Sequence, residues 1–206
     1  TDGTFGPSRS MTRSEAAAIF ARLLAEKNGD TISTAANTKF ADIPAHAWYS
    51  GYVKYLSNNG ITYGKSKTIF APNDAITRAE FTTMAVRFFD VYGDGDAEIM
   101  EQFSGFNDVS SGYWAAEYIK YAALHGWING YGDGSFHAER EINRAEVVTI
   151  VNRLLGREAD EDYIADNLRK LNTFPDVSRK HWAYYAVMEA ANAHTAVLGE
   201  SESWSK

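Results

Sequence analysis

The spacing of apolar positions divides this chain into helical stretches that recur. Trp48, Tyr52, Val53 and Leu56 lie one helical turn apart, as do Trp114, Tyr118, Ile119 and Ala122, and again Trp182, Ala186, Val187 and Ala190. Each set predicts a short amphipathic helix with the tryptophan at the head of the buried stripe. A second group has the same period: Ile19, Phe20, Leu23 and Leu24; Phe81, Met84, Ala85, Phe88 and Phe89; Val147, Ile150, Val151, Leu154 and Leu155. Six principal helices result. The glycine-rich connectors between them have the composition of tight turns and are assigned as loops. Longer polar connectors, over 26–39, 93–105 and 156–173, read as links between units, the last with a further helix around 164–171.

The helices belong to an internal repeat. Phe-x-Asp-(Ile/Val) occurs at Phe40-Asp42-Ile43, Phe106-Asp108-Val109 and Phe174-Asp176-Val177, each followed six residues after its aspartate by Trp48, Trp114 or Trp182. The tryptophans are 66 and 68 residues apart. A second motif, Met11-Thr12-Arg13-Ser14-Glu15, Ile76-Thr77-Arg78-Ala79-Glu80 and Ile142-Asn143-Arg144-Ala145-Glu146, recurs at 65 and 66. Two motifs with one period define a repeated unit. The chain reads as a half repeat (1–39), two whole repeats (40–105 and 106–173) and a final half repeat with a tail (174–206). The last half lacks the piece that the first supplies, so the ends are expected to meet and three helix-loop-helix units to close around a pseudo-threefold axis. Opening inside a repeat also leads us to expect sequence upstream.

Composition then removes whole classes of function. With 45% hydrophobic and 14% aromatic residues the chain can build a core. A formal net charge of -7 argues against nucleic acid, which demands a basic face. The absence of cysteine excludes disulfides and thiol chemistry. No apolar run approaches the roughly 20 residues of a membrane span. Asp90, Asp94, Asp96 and Glu98 lack the ligand spacing of a calcium loop and read as a solvated acidic segment, and the five histidines form no metal motif. No nucleophile with its base and no phosphate-cradling loop stands out, so an enzyme is not expected and no cofactor is implied.

The chemistry that remains lies at the helix starts and in the connectors. Thr12 with Glu15, Thr77 with Glu80 and Asn143 with Glu146 fit capping boxes, a structural role. Arg13, Arg78 and Arg144 sit inside them, although a cation in the first turn is disfavoured by the helix dipole. Either an anion is bound jointly by guanidinium and helix start, or each arginine pairs with an aspartate of a neighbouring unit, with Asp42, Asp108 and Asp176 as candidates. Tyr63 and Tyr131, with Lys65 and Asp133, occupy the glycine-rich connectors, where rings and charges can flank a groove.

The ordered set of Phe-x-Asp-Val, Trp, Gly60-Ile61-x-x-Gly64, Phe70-x-Pro72 and Ile76-Thr77-Arg78-Ala79-Glu80 resembles the S-layer homology (SLH) domain over almost the whole chain. That resemblance implies a mainly α three-pronged spindle of three repeats around a helical bundle. It also implies a non-catalytic, extracellular module of a larger bacterial surface protein, held non-covalently to the cell wall or S-layer. The implied partner is a secondary cell-wall polysaccharide with an anionic, pyruvylated end, bound in grooves between repeats. By motif match the groove arginine falls on Arg13, Arg78 and Arg144, and the helix-start hydroxyl on Thr12 and Thr77. Asn143 departs from the threonine pattern, and His137-Ala138 from the x-Pro that follows the loop phenylalanine. The alternatives are a self-assembling surface scaffold and, more distantly, a wall hydrolase.

Overall fold

In a computed structural model, residues 2–93, 103–197 and 203–205 are described; Asp94, Asp96 and Glu98 of the acidic segment lie outside them. The described chain is mainly helical: α1 (Arg13–Asn28), α2 (Ser50–Asn58), α3 (Arg78–Tyr92), α4 (Ala116–Leu124), α5 (Arg144–Leu154), α6 (Glu161–Asn167) and α7 (Tyr184–Ala191). A short antiparallel pair, β1 (Thr195–Val197) and β2 (Ser203–Ser205), follows. The extra helix expected around 164–171 is α6, continued by a 3-10 turn over Leu168–Lys170. Two compact units form, a central one (Ser10–Ile142) and a terminal one that joins 1–9 to 143–206.

The long helices start where the capping boxes predict. Glu15 N–H donates to the Thr12 hydroxyl (3.2 Å) while Thr12 N–H donates to the Glu15 carboxylate (2.9 Å). Thr77 with Glu80 and Asn143 with Glu146 repeat this, so asparagine caps as well as threonine does. Gly29, at φ 70°, ends α1 in the left-handed conformation that glycine adopts without a steric penalty. Each arginine-motif helix packs on the helix after the next tryptophan: α1 on α2, α3 on α4, and α5 on α7.

The tryptophans are not where the periodicity puts them. α2, α4 and α7 begin two residues after Trp48, Trp114 and Trp182, whose residues are 55%, 56% and 64% exposed. The buried stripe starts one position later, with Tyr49, Val53 and Leu56 in the first copy and Ala115, Ile119 and Ala122 in the second. Spacings of four and three residues fit either starting point, and only the turn that precedes the helix decides between them.

Inside the central unit Phe20 of α1 meets Phe81 and Phe88 of α3 at 5.3 and 5.0 Å between ring centroids, all three fully buried. Burial of one such side chain stabilises by about 1.5–3 kcal/mol. The terminal unit has its own core of Ala145, Ile164, Val177, Ala183, Tyr184, Val187, Met188 and Trp204.

Candidate functional site

Each arginine-motif helix starts in a cradle of the same design, and the cradle occurs three times. Its floor is a ring pair formed by the Phe-x-Asp phenylalanine and the connector phenylalanine: Phe40 with Phe70 (5.5 Å), Phe106 with Phe136 (5.2 Å) and Phe174 with Phe5 (5.4 Å). The motif aspartate then fixes the connector by accepting two successive backbone N–H groups. Asp42 accepts from Phe70 (2.9 Å) and Ala71 (2.6 Å), Asp108 from Phe136 and His137 (both 2.7 Å), and Asp176 from Phe5 (2.9 Å) and Gly6 (2.7 Å). Ala71, His137 and Gly6 all have positive φ (59°, 56° and 69°), so one bend recurs even where the residue is not glycine.

These bonds set the aspartate chemistry. Amides donated by Phe5 and Gly6 hold the Asp176 carboxyl below the usual carboxylate range against its partial desolvation. For Asp108 desolvation is the largest single influence and pushes upward, but the Phe136 and His137 amides together outweigh it and the net shift is downward.

The arginine closes the cradle. Arg13 Nε donates to Phe70 O (2.7 Å), Arg78 Nε to Phe136 O (2.8 Å) and Arg144 Nε to Phe5 O (2.7 Å), with each guanidinium over the ring of that phenylalanine. Arg13 and Arg78 are 4% and 5% exposed, whereas Arg144 is half-buried. Pairing with Asp42, Asp108 or Asp176 is not the arrangement found: those carboxylates serve backbone amides, and the Arg13 guanidinium meets Glu80 at 2.9 Å. The helix-start amides are committed too. Arg13 and Ser14 N–H donate to Asp74 and Pro72 O, Arg78 and Ala79 to Arg140 and Ala138 O, and Arg144 and Ala145 to Arg9 and Pro7 O. An anion therefore has no vacant first-turn amide to bind, contrary to the expectation that the helix start would share it.

The connector candidates divide differently. A Cβ on Gly64 would lie 2.4 Å from the Phe40 ring and 2.6 Å from Ile69 O; on Gly130 it would lie 2.4 Å from Phe106 and 2.6 Å from Ser135 O. These glycines are equivalent, so Tyr63 corresponds to Asn129 and Tyr131 to Lys65. Tyr63 is exposed beside Arg87 and Lys39. Tyr131 lies next to Arg78, Arg140 and His137, and its hydroxyl accepts from Arg140. Lys65 forms an exposed pair with Asp74 (3.4 Å). Asp133 accepts from Ser135 N–H and its hydroxyl, and the Ser135 hydroxyl holds its carboxyl low first of all. The geometry brings Arg78 and Tyr131 together, whereas no contact among the described residues joins Lys65, Tyr63 or Asp133 to Arg13, Arg78 or Arg144.

Sequence reasoning missed Tyr113, His137, Glu139 and Arg140, which with Asp108 and Ala138 line an open cavity of about 490 Å³ in the central unit. Tyr113 donates to Glu139 (2.5 Å); burial first, and then that carboxylate, push its phenol well up. Ser135 Oγ lies 3.0 Å from His137 Nε2 but donates to Asp133 at 2.6 Å, and Asp108 is 3.8 Å from His137 Nδ1. The serine proton is directed away from the imidazole, as in a turn and not as in a nucleophile–base pair.

Cradles that repeat and clamp a helix start, each in a copy with an exposed tryptophan, define a modular repeat. A family model for the S-layer homology domain matches residues 1–17, 39–82 and 105–148, half of the chain. The chain belongs to the S-layer homology domain family, and its relatives include bacterial surface proteins. It is 33% identical to Cell surface glycoprotein 1 of Acetivibrio thermocellus, over 98% of this chain and 8% of that protein. It is 30% identical to the Cellulosome-anchoring protein of the same organism, over 97% of this chain and 42% of that protein. Identity to the Surface-layer 125 kDa protein of Lysinibacillus sphaericus is 32%, over 75% of this chain and 12% of that protein. The chain thus spans less than half the length of these relatives. No helix among the described residues is long and apolar enough to cross a membrane.

Proposed function

We propose that this chain anchors a larger bacterial surface protein non-covalently to the cell wall, by binding an acidic, pyruvylated secondary wall polysaccharide beside its connector loops. The observation that carries the reading is the family match in all three repeat segments, joined to relatives whose names are those of anchoring and surface-layer proteins. The proposed contact residues are Arg13, Arg78 and Arg144, the caps Thr12, Thr77 and Asn143, the rings of Tyr63 and Tyr131, and the charges of Lys65 and Asp133. Because each arginine Nε and cap group also holds the cradle together, these residues would act on the ligand from positions already fixed, at little further entropic cost. Further domains of the parent protein would carry its distinctive activity.

The test is calorimetry of the folded chain against purified wall polysaccharide, before and after removal of its acidic substituents. Binding that disappears with the substituents is the expected result. A folded monomer that binds no wall preparation would instead favour a self-assembling scaffold, to be checked by concentration-dependent association in sedimentation.

A further inference from the structure

The three cradles share a skeleton and differ in one exposed turn. Between the motif aspartate and the tryptophan, Ala47 N–H closes onto Pro44 O (2.9 Å), Tyr113 onto Ser110 O (3.0 Å) and His181 onto Ser178 O (2.8 Å). The two residues at the tip are Ala45-His46 in the first copy, Ser111-Gly112 in the second and Arg179-Lys180 in the third. Both cations are exposed, and neither makes a hydrogen bond or ion pair among the described residues. Long unpaired side chains at a turn tip gain nothing for the fold, and in the other copies uncharged or small residues suffice there.

The connector residue that meets each arginine-motif helix differs among the copies as well. The residue whose carbonyl accepts the arginine N–H is Asp74 in the first copy, Arg140 in the second and Arg9 in the third. Its flanking residues in sequence are Asn73 and Ala75, then Glu139 and Glu141, then Ser8 and Ser10. Asp176 bonds both turns of the terminal unit together, and Arg9 N–H closes its own turn onto Gly6 O (3.0 Å). Asp176 accepts the Phe5 and Gly6 amides, Asp2 accepts from Thr4 N–H and its hydroxyl, and Glu161 is bonded to Tyr185, which lies within electrostatic reach of Arg179. Beside the tip stands Trp182, 64% exposed, with His181 stacked on it at 5.8 Å.

We infer that the terminal unit holds the principal anion-recognising subsite, in which Arg179 and Lys180 take the acidic group of a wall saccharide whose ring lies on Trp182. This rests on the anchoring reading and adds which copy does the work and through which residues. An anionic pyranose matches a cationic turn next to an exposed indole face, by charge on one side and by apolar ring contact on the other. The carboxylate or phosphate that supplies the charge has the same chemistry at the site.

The experiment compares the whole chain with Arg179→Gln/Lys180→Gln in calorimetry against purified wall polysaccharide. Untreated polymer is set beside polymer with its carboxylates reduced and polymer with its phosphates removed. The double variant should bind the untreated polymer about tenfold more weakly or worse, with a shallower salt dependence. Its thermal unfolding should be unchanged, because neither side chain supports the fold. Whichever treatment abolishes wild-type binding names the acidic group. His46→Gln, at the equivalent tip of the first copy, should leave affinity as it was, and Ser111→Arg/Gly112→Lys should add a second binding equivalent. Space at Gly112 is open, with nothing within 4 Å of an added Cβ. Undiminished, substituent-dependent binding by Arg179→Gln/Lys180→Gln overturns this inference and leaves the anchoring reading intact. Failure of the wild-type chain to bind any polymer removes both.

Discussion

The central and terminal units build the same cradle from the same bonds, yet the exposed turn before the tryptophan carries no lysine or arginine in the central copies and two cations in the terminal one. In the central unit Asp74 is met by Lys65, and Arg140 stands between Glu139 and Glu141. In the terminal unit the exposed tip carries Arg179 and Lys180, whose side chains make no hydrogen bond or ion pair among the described residues. Repetition therefore marks what the fold requires, and departure from repetition marks where copies are free to specialise. The residues that recur most faithfully, the arginine, the aspartate and the phenylalanine pair, are also those whose polar groups are already bonded within the cradle.

The largest expected effect tests whether a repeated arginine is first of all a structural part. Arg78→Ala removes a buried guanidinium that donates to Phe136 O and covers the Phe136 and Tyr131 rings. The loss should be about 3 kcal/mol in denaturant unfolding, the scale of a buried charged hydrogen bond with its packing. Arg78→Lys should recover only a small part, since an ammonium cannot reproduce the fork. If Arg78→Ala kept full stability and lost only glycan binding, the division between scaffold and specialised tip would collapse.

Next in size is the aspartate that pins the connector. Asp42→Asn leaves one acceptor oxygen for the Phe70 and Ala71 amides in place of two, at a cost of about 1–2 kcal/mol by equilibrium unfolding. The same bonds give a pH signature. The Asp108 and Asp176 carboxyls are held below their ordinary value in the folded chain, so their contribution is complete above that value, 3.8, and is lost as pH falls through the lower folded value. Unfolding midpoints should fall steeply below about pH 4, and Asp108→Asn should flatten that limb. An unchanged acid limb in Asp108→Asn would show that these bonds do not distinguish folded from unfolded chain.

Much of this fold is legible in the sequence, because its signals are local. Capping boxes announce α1, α3 and α5, and the two motifs with one period announce three copies. What escapes is decided by partners distant in the chain. The tryptophan stripe is misplaced by one residue because Trp48 and Tyr49 both fit a helical period, and only the turn closed by Ala47 onto Pro44 sets which faces inward. The arginines read as ligand sites or as partners of aspartates because no local rule foretells that Phe70, 57 residues from Arg13, offers its carbonyl. Asp42, Asp108 and Asp176 were visible as a motif, but their backbone partners were not. The basic tip at Arg179 and Lys180 was in plain view, and only the superposition of three turns gives it a meaning.

A smaller difference between the units gives the mildest test. In the central unit Arg22 and Arg87 lie over the rings of Tyr52 and Tyr118, 5.0 and 4.9 Å from the centroids, and donate to their hydroxyls. The equivalent arginine of α5 is Arg153, nine residues after Arg144, and the residue equivalent to those tyrosines is Ala186. The helix pair α5–α7 is held there instead by the Asn152 amide donating to Ala186 O (2.9 Å), a bond that a side-chain change at 186 leaves in place. Ala186→Tyr should recreate the cation–ring contact and stabilise by about 0.5–1 kcal/mol. Addition of Arg153→Gln should cancel the gain, and the double-mutant cycle in denaturant unfolding isolates it from the area the new ring buries. A coupling energy of zero would mean that the helix pairs of the two units meet at different angles, so that equivalence in sequence ends at the cradles.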